Sequence, residues 1–145
     1  MGNLSSRGFT LIEALITLCL LSLAAIAILD LQWRSLRASR QSSLHSIAMQ
    51  LATDMADGLR VAWPAPDAPA TPGFDAWLAE VGVALPAGRA IICRDAAPWD
   101  EVAGAYRWDC GEPAGPLVIK IGWDGAGDGT MSPPRVVVSV APVQP

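Results

Sequence analysis

The chain has 145 residues, a formal net charge of −4 and a hydrophobic content of 52%, which allows one small globular domain plus an apolar segment. From Val61 onward five basic residues face ten acidic ones, so the basic footprint that direct nucleic-acid binding requires is missing. A single histidine, His45, and no evident set of nucleophile, base and orienting residue disfavour an enzyme, and no cofactor is expected.

In chain order, the short leader at residues 1–8 carries one charge, Arg7, which favours a cytoplasmic N-terminus and export of the rest of the chain. Residues 9–29 form an apolar run of 21 in which only Thr10, Glu13, Thr17 and Ser22 are polar. About 20 such residues cross a bilayer as a helix. An acidic side chain at the centre of a membrane helix costs roughly 2.5–3.5 kcal/mol on insertion scales, so Glu13 needs a reason to be there.

Gly8, Phe9 and Glu13, at the head of that run, resemble the class III signal of type IV filament proteins, the prepilins and pseudopilins. The resemblance implies that a membrane prepilin peptidase cuts between Gly8 and Phe9 and that the new amino group of Phe9 is methylated. An α-amine has an ordinary pKa near 7.7–8.0, so it can be cationic beside a carboxylate. In the family account Glu13 of an incoming subunit meets the Phe9 amine of a neighbour already in the filament; pairing with its own Phe9, one helical turn away, is the alternative. Two plainer readings are a secretory signal peptide ending near Ala25-Ile26-Ala27 and a membrane anchor whose Glu13 snorkels to the interface.

Neither glycine nor proline occurs between Phe9 and Asp57, so one helix is expected from about Phe9 to Val61. Its second half, residues 30–63, turns amphipathic. Leu44, Ile47, Ala48, Leu51, Ala52, Met55 and Leu59 follow the three-and-four spacing of one face, which calls for a partner surface. Arg34, Arg37 and Arg40 recur at threes and fit either a solvated face or contacts with phospholipid headgroups or neighbouring subunits. The Leu31-Gln32 start of this half and its Leu51-Ala52-Thr53-Asp54-Met55-Ala56-Asp57 ending resemble the PilV group of minor pilins. That resemblance covers about the first 60 residues. It implies a low-copy, non-catalytic subunit that primes, assembles or caps a type IV pilus. The implied partners are the prepilin peptidase, other minor pilins, the major pilin, the inner-membrane assembly machinery and, before assembly, membrane lipid. The implied localisation is the inner membrane with a periplasmic head, then the pilus near its tip. A minor pseudopilin of a type II secretion system is the alternative.

The proline-rich stretch 64–73 reads as a stiff connector to a head at residues 74–145. Within the head, residues 74–81 read as a short helix, and Arg89–Arg94, 106–110, 117–123 and 135–140 as strands. Ile119, Ile121 and Trp123 alternate with Val118, Lys120 and Gly122, the pattern of a sheet buried on one face. The expected fold is α+β and type IV pilin-like: one long helix packed on a small antiparallel sheet of about four strands.

Cys19 lies in the apolar run, which leaves Cys93 and Cys110 as a pair in the exported part, where a disulfide is expected. It would tie the first two strands. A two-cysteine metal site is the rival, weakened by the distance of His45 and the absence of CxxC spacing. The loop of Asp124, Gly125, Ala126, Gly127, Asp128 and Gly129 lacks the ligand pattern of an EF-hand; a looser calcium site or a plain glycine-rich turn fits it.

Overall fold

A computed structural model describes residues 10–61, 73–111, 115–125, 129 and 132–140. The fold is α+β, a long N-terminal helix packed on a small antiparallel sheet. Helix α1 spans Leu11–Val61, 51 residues without a break. Its start is closed by Glu13 and Ala14 amides donating to the Thr10 carbonyl at 3.0 and 3.2 Å. The chain divides into two compact units, residues 1–40 and 41–145.

In the first unit every described residue is solvent-exposed. Its most apolar 18-residue window has a mean hydropathy of 2.5 with 0% of it buried, so by length and composition it can cross a membrane.

The second unit holds the core. The face of α1 carrying Ala48, Leu51, Ala52, Ala56 and Leu59 is buried against α2 (Phe74–Ala84) and the sheet. Three alanines at spacing four add little bulk, leaving room for the isoleucines of the sheet and the Trp77 indole. That indole donates Nε1–H to the Leu51 carbonyl at 3.0 Å, which ties α2 to α1. Leu44 and Met55 flank this face as expected, whereas Ile47 is exposed and Ala56 takes the buried place.

Helix α2 ends in a tight turn in which Leu85 N donates to Val81 O at 3.0 Å and Gly88 N to Leu85 O at 2.9 Å. A Cβ at Gly88 would lie 2.4 Å from Val81 O, so the close approach requires glycine. Ala87 in the same turn has φ 47, a left-handed conformation unusual for alanine.

Strand β1 (Arg89–Arg94) pairs antiparallel with β4 (Leu117–Gly122), and β4 with β5 (Val136–Val140), in the order β1-β4-β5. The strands β2 (Trp99–Asp100) and β3 (Ala105–Tyr106) form a separate two-stranded ribbon. Asp100 makes its turn, accepting from the amides of Val102 and Ala103 at 2.9 and 3.0 Å.

Two sequence expectations are corrected here. Residues 106–110 are not one strand: pairing stops at Tyr106, and the backbone beyond it serves a buried lysine. Nor is β4 buried on one face, since all six of its residues are buried. Its inner residues Leu117, Ile119 and Ile121 join the core, while Val118, Lys120 and Gly122 lie under the chain that continues from β1.

Candidate functional site

Two charged residues in apolar elements define the chemistry, one in each unit. In the first unit Glu13 sits in the first turn of α1, where a carboxylate interacts favourably with the helix dipole. The neighbouring hydroxyls are satisfied within the helix: Thr17 Oγ1 donates to Ala14 O at 2.9 Å and Ser22 Oγ to Cys19 O at 2.8 Å. Such internal bonds remove the cost of those hydroxyls in hydrocarbon. Among the described residues Glu13 has no side-chain partner, and Cys19 is a free, exposed thiol. Gly8 and Phe9 lie outside the described residues.

In the second unit Lys120 is fully buried at the centre of β4, and its ammonium has three partners. Nζ donates to Asp95 Oδ2 at 2.5 Å, to Arg107 O at 2.9 Å and to Asp109 O at 2.7 Å. That matches the three donors of an ammonium. Asp95, 1% exposed, uses its other oxygen to accept from the Ala97 amide at 3.0 Å. Burial pushes the Asp95 carboxyl up, but the bonds from Lys120 and Ala97 and the charges of Lys120 and Arg107 outweigh it and hold the carboxyl below its ordinary value. Asp100 is also held low, first by the Ala103 amide against the push of burial, then by the Val102 amide and the Arg107 charge.

Two glycines let the cover lie flat on the sheet. A Cβ at Gly122 would come 2.6 Å from the Trp108 ring, and one at Gly115 would come 2.5 Å from Ala96 N. Trp108 is held by Nε1–H donation to Ser132 O at 3.0 Å, with the Arg89 guanidinium 4.6 Å over its ring. Cys93 and Cys110 are joined, with an S–S distance of 2.17 Å and Cα atoms 6.0 Å apart. The bridge runs from β1 to the coil after β3, not between two strands, and it closes the chain segment that surrounds Lys120.

The sequence reading missed Lys120 and Asp95. A signal was present, because Lys120 shares its face with Val118 and Gly122, neither of which a solvated face requires. His45 is exposed on α1 with its ring 6.2 Å from that of Trp123. Asp124 accepts from the Gly129 amide at 2.7 Å, which makes it part of a turn; residues 126–128 of that loop lie outside the described set. Among the described residues no cluster of three metal-ligating side chains occurs.

The model of the prokaryotic N-terminal methylation motif matches residues 3–29. This chain carries a prepilin-like N-terminus. No curated protein and no solved structure matches the chain. The motif supports a type IV pilin-like or pseudopilin-like protein, a structural subunit processed by prepilin peptidase, anchored in a membrane and assembled by the pilus machinery. The matched stretch contains Glu13 and ends at Leu29, so it bears on the first unit and not on the head.

Proposed function

We propose that the chain is a minor pilin of the PilV kind, a low-copy subunit that helps to prime, assemble or cap a type IV pilus. The observation that carries this reading is the methylation motif over residues 3–29, whose described part lies on the exposed apolar start of α1, where the one carboxylate up to Leu29, Glu13, has no partner among the described residues. In this reading residues 1–8 are the cleaved leader and 9–29 the membrane and filament-core helix. Residues 30–63 are its periplasmic half, 64–73 the connector and 74–145 the head. Cleavage falls between Gly8 and Phe9, Phe9 is methylated, and the Cys93–Cys110 bond forms after export.

Assembly is then a matter of desolvation. A carboxylate and an amine that must both leave water lose less when they meet, so Glu13 of one subunit and the Phe9 amine of another fix axial register. A head-to-tail contact of this kind does not close, and repetition makes a helical filament. The test is intact-mass and N-terminal analysis of the protein from its native cells. The reading expects a methylated Phe9 at the N-terminus and loss of the mass of residues 1–8. An intact leader, or an N-terminus elsewhere, would remove its basis.

A further inference from the structure

A groove of about 490 Å³ opens on the head beside the β2–β3 ribbon, a volume within the roughly 300–1,000 Å³ of small-ligand sites. Trp99 and Tyr106 supply one aromatic wall, their rings edge to face at 5.0 Å, and Trp99 is 47% exposed. Trp123 and Arg135 also line it, with the guanidinium 5.4 Å over the indole ring. Arg135 keeps this position because residue 125 is glycine: a Cβ there would fall 2.6 Å from the guanidinium.

Two features of the lining point to a ligand. Trp123 is only 2% exposed, yet its Nε1–H has no acceptor among the described residues, and the same holds for Arg135 Nε. A buried donor without an acceptor is costly. Moreover, no carboxylate lines the groove among the described residues, although the chain carries a net charge of −4. The site therefore favours an acceptor-rich, anionic ligand.

Gln41 and Ser42 narrow the class. Their amide and hydroxyl groups both donate and accept, and the hydroxyls of a polyhydroxylated ring use both capacities. Exposed aromatic faces suit the apolar C–H face of such a ring.

We propose that this groove binds an acidic sugar, a uronic-acid unit whose ring face lies on Trp99, with Tyr106 beside it, and whose carboxylate is held by Arg135. The assignment concerns the second compact unit, residues 41–145, and is independent of the pilin reading.

The test is calorimetric titration of the full-length protein in a sugar-free detergent with trigalacturonate, the neutral trisaccharide maltotriose, and triglutamate. Trigalacturonate is expected to bind, maltotriose to bind at least about tenfold more weakly, and Arg135→Gln and Trp99→Ala each to weaken trigalacturonate about tenfold or more. In the wild-type protein the ¹⁵N-indole NMR signals of Trp99 and Trp123, assigned with Trp99→Phe and Trp123→Phe, should shift on titration, which keeps the test valid if a variant folds poorly. Absence of binding, equal or tighter binding of triglutamate, or binding that leaves both indole signals unmoved would overturn the proposal; the triglutamate result would instead indicate an acidic peptide partner.

Discussion

Glu13 and Lys120 pose the same physical problem in two regions of the chain, and the regions solve it differently. Lys120 is surrounded by Asp95 and two carbonyls, so its charge is neutralised and each of its three donors has an acceptor inside the head. Glu13 stands on an exposed apolar helix with its hydroxyl neighbours satisfied and itself unpaired among the described residues. A charge completed within its own fold organises that fold. A charge left incomplete on an apolar surface is available to another molecule; the difference places Lys120 in the folding of the head and is the ground on which we propose Glu13 for assembly.

The head side of the comparison breaks most severely at Lys120. Replacing it with Met leaves Asp95 buried without its cation, and removal of one partner of a buried pair typically costs about 3–5 kcal/mol. Urea unfolding of the detergent-solubilised protein, monitored by near-UV signals of the head tryptophans, should show that loss. The double change Lys120→Met with Asp95→Leu should recover a large part of it, because an apolar replacement of both partners removes the unpaired charge. If Lys120→Met unfolds at the wild-type midpoint, the pair does not organise the head.

The next largest effect is expected from the disulfide. Closing a loop of about 18 residues is worth roughly 3 kcal/mol in the chain-entropy model, so Cys93→Ser with Cys110→Ser should lower the same midpoint by that order. The bridge and the lysine act on one chain segment, 93–110, so combining their loss should give a non-additive result in a mutant cycle.

Asp95 gives a pH signature to the same centre. Its carboxyl is held below the ordinary value in the folded protein, so its contribution is fully present above the unfolded value near 3.9 and is lost as pH falls through the lower folded value. Stability measured from pH 7 to pH 2.5 should be insensitive to this group down to about pH 5 and decline below about pH 4. Asp95→Asn, already destabilised, should show a shallower decline over the acid range. A decline of equal steepness in that variant would shift the effect to other carboxylates.

The smallest expected effect is at Ala87, whose φ of 47 is left-handed. Ala87→Gly relieves that conformation and should stabilise the head by about 0.5–1 kcal/mol. No gain would mean that the added freedom of the unfolded chain offsets the relief.

The regions also differ in how far they could be read from residue order. The extent of α1 was legible because the absence of glycine and proline between Phe9 and Asp57 leaves the helix nothing to stop it before the last turns. The buried face of its second half was legible to one position: three-and-four spacing favours Ile47 and Ala56 alike, and only the surface packed above decides for Ala56. Residues 106–110 alternate like a strand, yet their backbone carbonyls are turned to the Lys120 ammonium, a demand made by a residue ten or more positions away. A local window does not contain that demand. Of the candidate assembly site, Glu13 was visible because a carboxylate in an apolar run is costly by itself. The Asp95–Lys120 pair was hidden because each is ordinary locally and unusual only together.

The most direct test of the division between the two charges is Glu13→Ala expressed in the native cells. The account predicts normal membrane insertion, a head with wild-type unfolding behaviour and an intact disulfide, and strongly reduced recovery in sheared pili. Wild-type recovery of Glu13→Ala in sheared pili would contradict it.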